Sequence, residues 1–591
     1  LIEVTATEGC ASAPLSKYER FHTRICRPIG LTEADREALV TFMISRLGSK
    51  YDMRNIFDLA RYLMPTPPVP TRFRRRMIAL GSGEPTRTIC STLIAEAFGR
   101  IAYPILPRVE LLMDEKGGIT RFRQREILHI RHYSLYAPAD FDLSPYFDIV
   151  KPTISEGFNY KGLRWQPSSP FSPHRHEVHP PMTTTPPNAA DSDPTKRGWM
   201  TGFPPPPEKA ITFADSRFRS FPELRWAWSN IRQLVPTVNV WRGSGPASVL
   251  QRDEQDLGKV KATTMDGRPI TFDQALAETY ADGIVILHRG RLVFERYLGA
   301  LKPHKQHIAM SVTKSFTGTL AGMLIAEGKI DPAAPVTKYV PELAKSAFGD
   351  ATVNQVMDMT TGLKYTEVYT DPNSDIWPMR RANGMAPPEP GKPPTSLLEY
   401  LTTQQKQGEH GQVFAYKTIN TDVLAWILRR TSGQSLSELL SERIWQPMGA
   451  EEDAHYTVDR LGIESGGGGL NTTTRDLARF GEIMRNRGQF NGRQIVPASV
   501  VDDIAKGADP KKFAPAGYPT LPGWSYRNQW WVSHDPHGVY MARGIHGQSI
   551  YVDPKAEVVI ARYASHHAAG NVNNDPVTLP AFAAVARALM A

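Results

Sequence analysis

The chain reads as an α+β protein with two globular regions, and three observations lead there. In the C-terminal region, strand-like segments sit at both ends with helix-like segments between them, the pattern of an antiparallel sheet flanked by a helical cluster. A proline-rich stretch, QPSSPFSPHRHEVHPPMTTTPPNAADSDPTKRGWMTGFPPPP (166–207), divides that region from the rest. The 591 residues also supply enough chain for two sizeable cores. The expected organisation is a globular region 1–165, a linker 166–207 and a second globular region 208–591.

The C-terminal elements follow from local pattern. GIVILHRGRLVFERYLG (283–299) is two apolar runs around Arg289-Gly290 and predicts a hairpin. HIAMSVTKSFTGTLAGMLIAEGK places Phe316, Leu320, Met323 and Leu324 at the spacing of one helical face, with Gly328 as the stop. VNQVMDMTTGL and NTDVLAWILRRTSG predict helices ending near Gly362 and Gly433, and RDLARFGEIMRNRG another. GVYMARGIHGQSIYVDP and AEVVIARYAS predict late strands, and LPAFAAVARALMA a closing helix. NSDIWPMRRANGMAPPEPGKPP, rich in proline and glycine, predicts a long mobile loop suited to act as a lid.

Composition narrows the function classes. Apolar residues make up 41% and charged residues 22%, ordinary for a globular protein. No run of about 18 apolar residues predicts a membrane span. Cys10, Cys26 and Cys90 are the only cysteines, too few and odd in number for a disulfide framework, which favours a reducing, cytoplasmic setting. The net charge of +9 is fed partly by Arg72, Arg74, Arg75 and Arg76, a run read as a solvated face or a lipid-surface contact. No nucleic-acid module accompanies it. There is no His-Glu-x-x-His and no Cys-x-x-Cys. His174, His176 and His179 fall in the linker, where nothing would orient them as ligands. No metal or cofactor is expected.

The chemistry concentrates at Ser311-Val312-Thr313-Lys314, the only Ser-x-x-Lys in the chain. Residues three apart on a helix share a face, so Ser311 would open the helix with the Lys314 amine beside its hydroxyl. That is a serine nucleophile with a built-in base. The base works only if its pKa, about 10.4 in water, is lowered by burial or a nearby cation.

From about Phe221 to the end, the chain resembles the serine-reactive β-lactamase-like hydrolases, in particular the esterase and aminohexanoate-dimer (nylon-oligomer) hydrolase branch. FPELRWAWSNIRQLVPTVNVWRG resembles that branch's entry segment, and SVTKS its nucleophile motif. FAYKTINTDVLAWILRRTSG resembles its tyrosine motif, and GIHGQSIYVDP its late-strand motif. The resemblance implies a β-lactamase/penicillin-binding-like fold, and a serine hydrolase that cleaves small esters or linear amides through an acyl-enzyme on Ser311. It makes Tyr416 the second proton carrier across the cleft. It puts the donors for the developing oxyanion at the Ser311 and Ile545 N–H groups, with Gly544 allowing close backbone approach. His546 would line the cleft or hold the strand by a hydrogen bond. A loop similar to Glu367-Val368-Tyr369 covers the amide in that branch, which makes Tyr369 a substrate contact and Glu367 a partner for a substrate amine. The glycine-rich SGGGGL from Ser465 would form the cleft floor. Two departures point away from β-lactam hydrolysis. Ala542-Arg543-Gly544 or Gly544-Ile545-His546 stands where β-lactamases carry Lys-Thr-Gly, and Asn420 lies four residues after Tyr416 rather than two.

The N-terminal region, through SRLGSKYDMRNIFDLARYL and RTICSTLIAEAFGRIAYPILP, resembles the permuted papain-like cysteine hydrolases. Cys90 would head a helix whose N-terminus favours the thiolate. The chain begins after the position of that family's histidine, and His22 does not match it, so the domain is expected to be truncated and inactive. Two other readings stand beside the serine hydrolase. One is a non-catalytic ligand sensor on a penicillin-recognition fold. The other is a cysteine hydrolase whose C-terminal domain only senses peptidoglycan-like ligands.

Overall fold

The structure is a computed structural model. It describes residues 186–591 apart from 215 and 390, and, further upstream, residues 2–5, 9–13, 26–28, 30–51, 87–88, 90–101, 103, 105, 108–112, 125–129 and 147–149. The chain divides into two compact units, 1–181 and 182–591.

In the first unit the described elements are helices Glu33–Ser45 and Cys90–Arg100 and four short strand pairs. Thr32 caps the first helix, its hydroxyl accepting from the Asp35 N–H. Cys10, Phe42, Leu93 and Ala97 pack together between the helices and the first hairpin. Cys10 is a buried free thiol, and burial raises its pKa. Cys90 begins its helix as expected, but its side chain lies outside the described residues, as do the Arg72–Arg76 run, His22 and the linker histidines.

The second unit is built on a seven-stranded antiparallel sheet. From one edge its strands are Arg291–Tyr297, Ala281–His288, Val558–Ala564, Gln548–Asp553, Tyr540–Gly544, Trp530–Val532 and Ser525–Arg527. The predicted hairpin is present, with Arg289 and Gly290 both at positive φ. Side chains alternate between the faces of a strand, and here both faces are covered. Val285 and Leu287 join one core with Phe316, Leu477 and Phe480, while Ile284 and Ile286 join another with Phe582 and Val585 of the closing helix Asp575–Met590. A four-stranded sheet of Thr237–Val240, Ala454–Thr457, Leu470–Thr472 and His307–Ile308 leads the chain into the helix Val312–Ala326.

That helix differs from its expected amphipathic form. Every residue from Val312 to Leu324 is buried, because the sheet, the helix Ile419–Ser432 and the helix Ala498–Lys506 enclose it. Phe316 stacks on Phe480 with ring centroids 3.8 Å apart. The helix from Val353 stops at Met357, well short of Gly362, because Met359 turns to φ +51° and the Asp358 carboxylate accepts from Arg527 and the Asn528 N–H.

Two other expectations change. The compact unit begins at 182 rather than 208, so the second half of the expected linker belongs to it. Arg225 donates to the carbonyl of Ala189 and to Ser192 Oγ and pairs with the buried Asp282, and the Tyr280 hydroxyl donates to the Pro187 carbonyl. These partners supply the hydrogen bonds that a proline-rich strap cannot make to itself. The expected mobile lid contains the helix Ile376–Ala382. Pro378 sits in its first turn, where a missing N–H costs nothing.

Candidate active site

Ser311 sits on a sharp turn between strand His307–Ile308 and the buried helix. Met310 before it adopts φ +48°, costly for a residue with a Cβ. Ser311 itself is helical at φ −69° and ψ −7°, and its side chain caps nothing, which leaves the hydroxyl at the helix start. Lys314, one turn on, is 1% exposed. Its Nζ lies 3.0 Å from Ser311 Oγ and donates to the Gly467 carbonyl at 2.5 Å.

Burial pushes the Lys314 pKa down to about 8, against the opposing pull of Glu367 and Asp422. An amine with no bulk water around it loses the solvation that stabilises its charged form. Asp422 responds in the opposite sense, pushed up to about 7 by burial, with the Lys314 charge and the Gly467 N–H, which donates to it at 3.0 Å, holding it down. Gly467 is fixed on both sides, since a Cβ there would lie 2.6 Å from Thr418 Cγ2.

Tyr416 closes the other side of the serine, its phenol close enough to the Ser311 hydroxyl to interact with it. Burial, then the Glu367 charge, raise its pKa well above the usual range, so it is a protonated phenol. Its ring stacks on Trp531 at 5.5 Å, and Lys314 Nζ lies 5.2 Å from its centroid. An amine whose pKa burial has lowered to about 8, a hydroxyl and a phenol together form a path along which one proton can move in either direction.

The late strand reaches the same point. Gly544 ends strand Tyr540–Gly544 so close to the serine turn that a Cβ would stand 2.9 Å from the Ala309 carbonyl and 3.0 Å from the Ser311 nitrogen. Among the described residues, no group accepts a hydrogen bond from the N–H of Ser311 or of Ile545. Gly544→Ala is therefore expected to force these segments apart and lower kcat at least about tenfold, with a smaller change in KM. Steady-state kinetics on an ester would show it, and wild-type kcat would contradict the close approach.

Ser311, Tyr369, Ile545 and His546 line one cavity of about 80 Å³ together with Arg219, Trp228, Met379, Arg380 and Asn383. His546 lines the cavity, and its Nδ1–H donates to the His566 carbonyl at 2.6 Å. Burial pushes its pKa down to about 3, so it is neutral, and Trp228 packs on it at 4.4 Å. Glu367 departs from expectation. Its carboxylate accepts from the Tyr369 hydroxyl at 2.5 Å and from the Thr418 N–H and hydroxyl at 2.7 Å each. It sits at the N-terminus of helix Ile419–Ser432, where the helix dipole favours an anion, and those donors engage both of its oxygens. Asn420 also points elsewhere, accepting from the Thr361 hydroxyl and donating to the Lys417 carbonyl.

Asp422, the Gly467 carbonyl and Arg219 were not singled out from the sequence. Asp422 carries a signal of its own, a carboxylate directly before the apolar run 423–428 of its helix. Among the described residues, no group of His, Cys, Asp and Glu could hold a metal ion.

A buried lysine one turn after a serine, a phenol opposite and a late strand against the serine N–H, all on an antiparallel sheet between helices, define a hydrolase of the β-lactamase fold. Residues 271–577 match the family described as Beta-lactamase, and the chain belongs to that family. The 6-aminohexanoate-dimer hydrolase of Paenarthrobacter ureafaciens is 36% identical over 347 residues, which cover 58% of this chain and 86% of that protein. The solved structure titled "Putative 6-aminohexanoate-dimer hydrolase from Bacillus anthracis" aligns with a TM-score of 0.59 at 31% identity, covering 64% of this chain and 97% of that one.

Proposed function

We propose that the protein is a serine hydrolase that cleaves small esters or linear amides through an acyl-enzyme on Ser311. The observation that carries this reading is the buried Lys314 amine, pushed down to about 8 and 3.0 Å from the Ser311 hydroxyl. In the first half-reaction Lys314 takes the hydroxyl proton as Ser311 Oγ bonds to the substrate carbonyl carbon. The carbonyl oxygen becomes negative between the Ser311 and Ile545 N–H groups, which have no other acceptor to give up. The bond to the leaving group breaks as Tyr416 delivers a proton to it, and Lys314 reprotonates Tyr416. A water molecule then reverses the path, giving the free acid and restoring Ser311.

The amide half of the reading draws on the likeness to the Paenarthrobacter enzyme, whose name gives a 6-aminohexanoate dimer as what it hydrolyses. Tyr369 supports it from this chain, because its phenol borders the cavity and is held by Glu367. Glu367 then acts by positioning Tyr369 and Thr418 and does not bind a substrate amine. Tyr369→Phe is expected to lower kcat/KM for an amide about tenfold and for the matching ester less, since an amide nitrogen is the poorer leaving group. Equal losses would remove Tyr369 from this role.

A fluorophosphonate probe tests the whole reading. It should label one serine, found by peptide mapping to be Ser311. Labelling elsewhere, or turnover that responds only to a thiol reagent, would overturn it.

A further inference from the structure

Two arginines line the cavity of the serine without an ion-pair partner among the described residues. Arg219 lies on the single turn Arg217–Arg219 and Arg380 on the helix Ile376–Ala382, and both line the Ser311 cavity. Their guanidinium carbons stand 5.3 Å and 5.2 Å from the centroid of the Trp377 ring, and that of Arg380 is also 5.3 Å from the centroid of Tyr369. Arg219 Nε and Nη1 are buried with no hydrogen-bond partner. Among the described residues no carboxylate forms an ion pair with either arginine, whereas Arg381 beside them reaches Glu389 at 3.8 Å.

Arg219 is half-buried, and its two buried nitrogens have lost water without gaining a partner, a loss that an arriving anion would offset. The aromatic faces hold these guanidiniums in place. Burial and the neighbouring Arg380 and Arg381 push the Arg219 pKa down to about 10, which leaves it charged at neutral pH. The cation on the late strand offers no alternative site. Arg543 is 6% exposed and paired with the buried Asp575.

The side of the serine matters as well. The cavity is bordered by Tyr369, Met379 and Arg219, and Tyr416 is not among its described lining residues. A leaving group protonated by Tyr416 departs on the tyrosine side, which leaves this cavity to the acyl chain. Arg219 also borders, with Trp377 and Tyr369, a second cavity of about 500 Å³, so a longer chain has room to end there.

Resting on the acyl-enzyme reading above, we propose that Arg219 and Arg380 bind a carboxylate at the far end of the acyl chain, so that the preferred substrates are esters or amides of dicarboxylic acids. A planar guanidinium matches a carboxylate with two parallel hydrogen bonds, and a substrate ammonium at the same place is repelled.

Three p-nitrophenyl esters of similar length test this with the full chain: the monoester of adipic acid, the hexanoate and the 6-aminohexanoate. kcat/KM should be highest for the adipate ester, about tenfold above the hexanoate, and lowest for the amine-tailed ester. In Arg219→Gln and in Arg380→Gln the adipate-to-hexanoate ratio should fall towards unity, mainly through KM. The ratio is taken within one variant, so it does not depend on the fraction folded. An adipate ester no better than the hexanoate, or a ratio unchanged in both variants, overturns the carboxylate site while Ser311-dependent hydrolysis of the hexanoate still stands. Hydrolysis of none of the three overturns both readings together.

Discussion

Ser311→Ala is expected to abolish turnover of every ester and amide that the protein cleaves, a fall in kcat of about 10⁴-fold or more. The size follows from the chemistry, because without Oγ there is no atom to carry the acyl group. The remaining N–H donors and the lysine can act only on water that nothing holds in line. The fold is expected to survive. The Ser311 side chain makes no cap bond to its helix and its backbone conformation suits alanine, while the bond that its oxygen accepts from the buried Lys314 amine is lost, so thermal stability should fall by no more than about 1–2 kcal/mol. Steady-state kinetics beside a melting curve separates the two effects. A well-folded variant that still turns over at a tenth of the wild-type rate would remove Ser311 from the mechanism.

Lys314 carries the second large effect. Lys314→Met keeps the length and the burial but takes the base away, and kcat/KM should fall about 10²- to 10⁴-fold. In the wild type, burial puts the amine at about 8. Below that pH the amine is protonated and cannot accept the serine proton, and above it the amine is free. kcat/KM should therefore rise with pH through a midpoint near 8. Asp422 supplies the sign test. Its negative charge favours the protonated amine and raises the Lys314 pKa. Asp422→Asn keeps an oxygen for the Gly467 N–H but removes that charge, so the acid limb should move to lower pH. A limb that stayed in place, or moved up, would mean that another group titrates there.

The parts of the site written locally could be read from the chain. Ser311 and Lys314 lie one helical turn apart, so their spacing alone brings them together. Gly544, Ile545 and His546 are consecutive at a strand end, and Tyr369 stands in a short loop motif. The hairpin, the late strands and the closing helix likewise carry their own periodicity. What local pattern could not show was the set of partners brought from far away. The Gly467 carbonyl that accepts from Lys314 is 153 residues distant. Arg219 gives no sign in RFRSF that its guanidinium ends beside the serine. Glu367 looked free to meet an amine, and only the packed loop brings Thr418 and Tyr369 to fill it. The domain edge was misplaced for the same reason. Proline content argued for open chain up to 207, while the residues that hold 187–192 in place, Arg225 and Tyr280, belong to the folded unit downstream.

The account stands on a covalent bond between Ser311 and the acyl half of the substrate. Intact-mass spectrometry on samples quenched in acid within the first turnover of a p-nitrophenyl ester measures that bond. The expected result is a protein heavier by one acyl group, with the added mass on the peptide containing Ser311 and none in Ser311→Ala. Release of p-nitrophenol at the full rate with no acylated protein at any time, or with the acyl group on Cys90, would contradict it.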